Sequence, residues 1–185
     1  YQAAESGTLK NSAELTRQVD RMLADPKAEA FYHSFLSQWF ELHRFDDIAV
    51  NPDEYLMFDE QVRYSAREEP IRLFEHLVKK NLSLTNLIDS DFAMLDPLLA
   101  HFYGIQGVDG QGFRKVNLPP ESPRGGLIGT TAFMIMGSTG DRTSPIIRGT
   151  LVLDKFLNDP SADPPPNVPE LTDASKEPLP VREMI

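Results

Sequence analysis

Four histidines, His33, His43, His76 and His101, are the first candidates for metal ligation or general-base chemistry in this sequence. No two of them stand four residues apart around a glutamate, so the paired-histidine helix of zinc hydrolases is not present. His33 and His43 lie too far apart for one helical face to supply two ligands directly. His33 follows Glu29 by one turn, and a packed or surface-paired role is the better reading for each histidine. Carboxylates occur side by side at Asp46–Asp47, Asp59–Glu60 and Glu68–Glu69. Adjacent helical residues point about 100° apart, so such pairs do not form the facing acid and base of glycoside hydrolysis, and they read as solvated charge. Gly104, Gly107, Gly110 and Gly112 share one loop without the spacing of a phosphate-binding motif.

The arginines are more informative. Between Gly110 and Gly149 stand five basic residues (Arg114, Lys115, Arg124, Arg142, Arg148) and two acidic ones (Glu121, Asp141), a balance of +3 in a chain of -10, so the remainder sums to -13. Ser144–Pro145 opens a helix whose free N–H groups would lie beside Arg142 and Arg148. Arg124, Arg142, Ser144 and Arg148 are therefore the candidate binding residues, as an anion site or an interdomain contact. The competing reading is that these guanidinium groups pin their loops to acidic helices of the same body.

The elements that must position these residues follow from caps and periodicity. Asp25–Pro26, Asn51–Pro52, Asp96–Pro97 and Ser144–Pro145 each place a side-chain acceptor before a proline, the pattern of a helix start. Asn11 with Glu14, and Asn51 with Glu54, add an acidic residue three positions on. Helical stripes follow at Leu15, Val19, Met22, Leu23, then at Phe31, Tyr32, Phe35, Leu36, Trp39, Phe40, then at Tyr55, Phe58, Val62, Ala66, Leu73, Leu77; all three faces are expected to be buried. Pro70 is expected to kink or break the third helix. Leu98–Tyr103 reads as a short helix closed by Gly104, and Gly125–Met136 and Ile146–Leu157 complete the set. Phe92–Leu95 and Phe113–Leu118 alternate like strands. The fold class is mainly α, an irregular helical bundle with one small β-hairpin.

With 185 residues, 41% hydrophobic and 25% charged, the chain is long enough for a real core and near average for folded proteins. It has no cysteine, so disulfides, thiolate metal sites and covalent c-type haem attachment are excluded within it. The acidic balance argues against nucleic acid as a partner. The longest uncharged stretch, Gly125 to Gly140, is too short for a membrane span. The chain opens at Tyr1 without a signal peptide, and its true N-terminus is expected to lie upstream. Seven of the fifteen prolines fall between Pro160 and Pro180, so 159–180 reads as a linker or strap and 181–185 as the first turn of a further helix.

Gln18 to Ala28, Phe35 to Phe40 with Gln38–Trp39, Arg124–Gly125–Gly126–Leu127, Arg142–Thr143–Ser144–Pro145 with Arg148–Gly149, and Pro164 to Pro169 occur in a long and ordered series. Together they resemble the paired domains of unknown function of large planctomycete-type cytochrome c proteins. The resemblance implies a first helical module over 1–110 and the start of a second over 111–158. It implies an exported, periplasmic or extracytoplasmic parent chain whose c-type haem lies beyond residue 185, with none in this stretch. Neighbouring domains of that parent are the expected partners, and the redox partner is left open. Asn158 to Asp163 and Phe92 to Asp96 depart from the family's pattern and affect only loop detail. Three functions compete: a non-catalytic scaffold beside the haem segment, an enzyme module in which Arg142, Arg148 and a histidine or carboxylate converge, and a protein-interaction module. No catalytic constellation is identified, so enzymatic activity is left open.

Overall fold

The computed structural model describes residues 1–161. The chain is mainly helical with one small antiparallel ribbon, as its spacing predicts. The remainder of the proline strap and the turn at 181–185 lie outside the described residues.

Asn11 accepts hydrogen bonds from the backbone N–H groups of Ala13 and Glu14. This cap starts α2 (Ser12–Leu23) after a short α1 (Gln2–Glu5) and a 3-10 turn at Thr8–Lys10. Asp25 then accepts from the Lys27 N–H at 2.9 Å and leads through one tight turn into α3 (Ala28–Trp39). After α4 (Leu42–Asp47), Asn51–Pro52 makes a turn and no helix. There Asn51 accepts from Asp53 N–H at 3.0 Å, and the chain stays irregular until Asp59 caps α5 (Glu60–Lys80). The sequence places a helix start at Asn51 on its proline and acidic partner, but Tyr55, Leu56 and Met57 after it stay exposed, and the residues whose burial rewards a helix, Val62, Ala66, Leu73 and Leu77, follow Asp59.

Pro70 does not break α5, which runs unbroken from Glu60 to Lys80. Its middle is packed on every side: Ala66, Ile71 and Leu73 are buried among α3, β1 (Phe92–Leu95), α6 (Pro97–Phe102) and α7 (Thr131–Met136). That burial outweighs the missing proline N–H. Asp96 caps α6 with a 2.8 Å bond from Leu99 N–H, and Gly104 closes it at φ 71°. β1 pairs with β2 (Arg114–Asn117), Phe92 opposite Asn117 and Leu95 opposite Arg114. Ser144 caps α8 (Pro145–Leu157) by accepting from Ile147 N–H at 3.3 Å.

The expected helix at Gly125–Met136 is shorter and begins at Thr131. Gly126 has φ 63°, and a β-carbon there would lie 2.4 Å from the Ile88 carbonyl oxygen. Its N–H bonds to Ser90 Oγ at 3.2 Å, and Leu127 N–H bonds to the Leu87 carbonyl at 2.7 Å. The backbone of 125–127 is thus spent on docking against 87–90, and the helix starts only when Thr130 caps it.

The core joins Tyr32 and Leu36 of α3 and Phe40 just after it to Leu42 and Phe45 of α4, the inner face of α5, β1, α7 and Leu151 of α8. Phe40 stacks on Phe133 at 6.0 Å between ring centroids, and Phe156 meets both edge-on at 6.4 Å. None of the three expected faces is fully covered: on the third, Tyr55 lies before α5 and is 43% exposed. On α2, Leu15, Val19 and Met22 are 49%, 45% and 60% exposed, because that helix packs mainly on the turn at Thr8–Lys10. On α3, Phe31 and Phe35 remain about half open while Tyr32 and Leu36, one position on, are fully buried. Periodicity identifies an apolar stripe, but the partner that covers it must come from elsewhere.

Candidate functional site

Arg124 follows the turn at Ser122 and reaches back over α6. Its guanidinium carbon lies 3.4 Å from the centre of the Tyr103 ring, and Nη1 donates to the Gly129 carbonyl at 3.2 Å. This is a stacked cation, a geometry that arginine's flat group permits. Beneath it the Tyr103 hydroxyl donates to Glu69 Oε2 at 2.6 Å. The Thr131 N–H donates to the same carboxylate oxygen at 3.2 Å, and Thr131 Oγ1 lies 2.8 Å from the Tyr103 hydroxyl. Four residues from α5, the end of α6, the glycine loop and α7 thus form one network.

Glu69 is 3% exposed. Burial pushes its carboxyl up to about 7, against the opposing pull of the Tyr103 hydroxyl, the Thr131 N–H and the Arg124 charge. Burial, then the adjacent Glu69, raises the Tyr103 phenol well above its ordinary range. Reading Glu68–Glu69 as solvated charge is therefore incorrect, since both are buried. Glu68 Oε2 lies 3.1 Å from Arg72 Nη2 and 3.6 Å from His33 Nε2. The signal for Glu69 lay in its register: Val62, Ala66 and Leu73 place it on the apolar face of α5, where a lone carboxylate requires partners.

Arg148, on the first turns of α8, lines the same cavity as Arg124. The cavity measures about 230 Å³ and also meets Phe58, Phe102, Ile135 and the hydroxyl residues Tyr55, Thr131, Ser138 and Thr143. Its rim is two loops locked together. Asn51 N–H donates to the Gly140 carbonyl at 3.1 Å, and the Tyr55 hydroxyl donates to the Asp141 carbonyl at 3.2 Å. Gly140 has φ 93°, and a β-carbon there would stand 2.1 Å from the Ala49 carbonyl oxygen, so only glycine lets the loops close. Arg148 Nη2 donates to Thr143 Oγ1, and its Nε is buried with no hydrogen-bond partner among the described residues.

Of the four residues singled out from sequence, Arg124 and Arg148 therefore meet at one cavity. Arg142 is exposed on the loop between the paired Ser138 and Thr143, beside Asp141, and is not among the cavity's lining residues. The Ser144 hydroxyl is engaged by Ile147 N–H as a helix cap. Glu69, Tyr103 and Thr131 are added by the structure; their sequence separation hides their meeting.

The histidines do not converge. His33 sits near Glu29 and Glu68, while His76 lies edge-on to Phe92 at 5.5 Å and is held below its ordinary value by burial and then by Lys115 and Lys80. Among the described residues no three histidine, aspartate or glutamate side chains gather as a metal group, and no helix is long and apolar enough to cross a membrane. No histidine or carboxylate lines the arginine cavity.

The search of curated proteins found no match, and neither did the search of solved structures. Residues 124–185 match the family model PSCyt3, protein of unknown function (DUF1588). Residues 1–105, more than half the chain, match PSD4, protein of unknown function (DUF1592), and the chain belongs to that family.

Proposed function

We propose that this chain is a helical scaffold of an exported cytochrome-associated protein, holding neighbouring domains, among them a segment that carries c-type haem beyond residue 185. The observation that carries this reading is where the buried polar groups go. Glu69, Tyr103 and Thr131 bind one another across α5, the end of α6 and α7, and Ser65 binds Asp96 at 2.5 Å between α5 and the start of α6. Such fully engaged networks fix the mutual placement of helices. The names of the two matching models, PSD4 and PSCyt3, point to the same cytochrome-associated context. In this reading 1–110 and 111–158 are two modules sharing one core, and Arg124 and Arg148 form an anion or interdomain contact site with Arg142 and Ser144 beside it.

The exposed apolar residues Leu15, Val19, Met22, Phe31 and Phe35 support the partner assignment. Val19, Met22, Leu23 and Phe31 line a groove of about 360 Å³ between α2 and α3, which suits an apolar segment of an adjoining domain of the same parent chain.

Two measurements test the reading. Haem added to this chain should give no stoichiometric Soret band, whereas the natural full-length protein should carry covalent haem in peptides outside residues 1–185. A Soret band on this chain alone, or a full-length protein free of covalent haem, refutes the scaffold reading. In the full-length protein, Val19→Glu with Met22→Glu should leave the chain folded and raise proteolytic cleavage between this region and its neighbours; unchanged cleavage removes the groove from the contact.

A further inference from the structure

The cavity shared by Arg124 and Arg148 has two kinds of wall. One is cationic and hydroxyl-bearing, with Thr131, Ser138 and Thr143 beside the arginines; the other is hydrocarbon, with Phe58, Phe102 and Ile135. Among the described residues neither arginine forms an ion pair, although Arg72, Arg67 and Lys155 elsewhere do so at 2.9 to 3.0 Å. The Arg148 Nε is buried against Gly137 and does not face the cavity, so what the cavity meets is the charge of the guanidinium head. Two guanidinium groups at one cavity with no carboxylate in its lining favour an anionic occupant.

An inorganic anion would satisfy the arginines and leave the aromatic wall wet. A neutral hydrocarbon would cover that wall and leave the guanidinium groups unmatched. The space of about 230 Å³ corresponds to roughly eight water volumes. It falls below the roughly 300–1,000 Å³ of sites for drug-sized ligands. A planar carboxylate matches a guanidinium edge with two parallel bonds and leaves most of the space for hydrocarbon.

Resting on the reading of these arginines as an anion site, we propose that the cavity binds a small free carboxylic acid bearing a compact aromatic or branched aliphatic group. The carboxylate lies between Arg124 and Arg148, and the apolar group lies against Phe58, Phe102 and Ile135. Tyr55 at the rim, held by the Asp141 carbonyl, sets the depth of the opening.

The test is an amide-shift NMR titration of the whole chain with benzoate, benzamide and sulfate, at one ionic strength and pH. Benzoate should give saturable shifts around Ser138 to Thr143, with benzamide and sulfate each at least ten-fold weaker. Arg148→Gln should weaken benzoate at least ten-fold with the rest of the spectrum preserved. Because benzamide needs no variant, the result does not depend on whether an arginine replacement folds. Sulfate binding as tightly as benzoate overturns the ligand class and leaves the anion site standing. Benzamide matching benzoate, or no saturable shift with any probe, overturns both.

Discussion

Replacing Glu69 by glutamine should remove a pH dependence of stability that is built into the core. The Glu69 carboxyl titrates near 7 in the folded chain against an ordinary 4.5. The folded state therefore holds a proton that the unfolded chain has released throughout that interval. Stability from this group is full below 4.5, declines as pH rises, and reaches its floor above 7. A displacement of that size is worth about 3 kcal/mol, with a steepest slope of about 1.4 kcal/mol per pH unit. The glutamine oxygen can accept the bonds from the Tyr103 hydroxyl and the Thr131 N–H while carrying no charge. Urea unfolding of both proteins from pH 5 to 8 is the assay, read as the difference between them. His76, which is depressed and so loses stability as pH falls, and Glu75, which is lowered and loses stability only toward acid, occur in both chains and cancel. Wild type should fall relative to Glu69→Gln by about 2–3 kcal/mol across this range. A difference that is flat with pH refutes the placement of this carboxyl in the core, as does one that rises.

Further outcomes test the packing. Phe133→Ala removes the ring between Phe40 and Phe156 and should cost about 3–5 kcal/mol by chemical denaturation; a loss under about 1 kcal/mol would mean that this contact does not close the core. Gly126→Ala combines a left-handed backbone with a 2.4 Å approach to the Ile88 carbonyl, so it should lose more than the roughly 1–2 kcal/mol of the conformation alone, seen as a lowered midpoint in thermal unfolding. Asp96→Ala removes the α6 cap and strands the buried Ser65 hydroxyl, with an expected loss of about 2 kcal/mol, whereas Asp96→Asn should recover about half, as measured by urea titration.

Helical class, the caps at Asn11, Asp96 and Ser144, and the strand segments near Phe92 and Arg114 were legible because each depends on residues within a few positions of one another. Asn51 misled for the same reason: its local signal is sound, but the apolar residues that follow, Tyr55, Leu56 and Met57, find no surface to cover them, and the chain makes only a turn. Pro70 and the Gly125–Gly126 loop were decided by distant partners, α3 and β1 in one case and the carbonyls of Leu87 and Ile88 in the other. At the candidate site two arginines of the basic stretch, Arg124 and Arg148, line one cavity, and Arg142 does not. The register of α5 signals that Glu69 is buried, but not its bond to Tyr103, because the two stand 34 positions apart and nothing local to either announces the other.

Phe40 is 1% exposed, and the rings that shelter it, Phe133 and Phe156, lie near the far end of the described chain. During synthesis the amino-terminal helices must therefore wait with an open aromatic seam until more than a hundred further residues have left the ribosome. Closure by so distant a segment makes folding late and slow relative to helix formation, and leaves the nascent chain sticky in the interval.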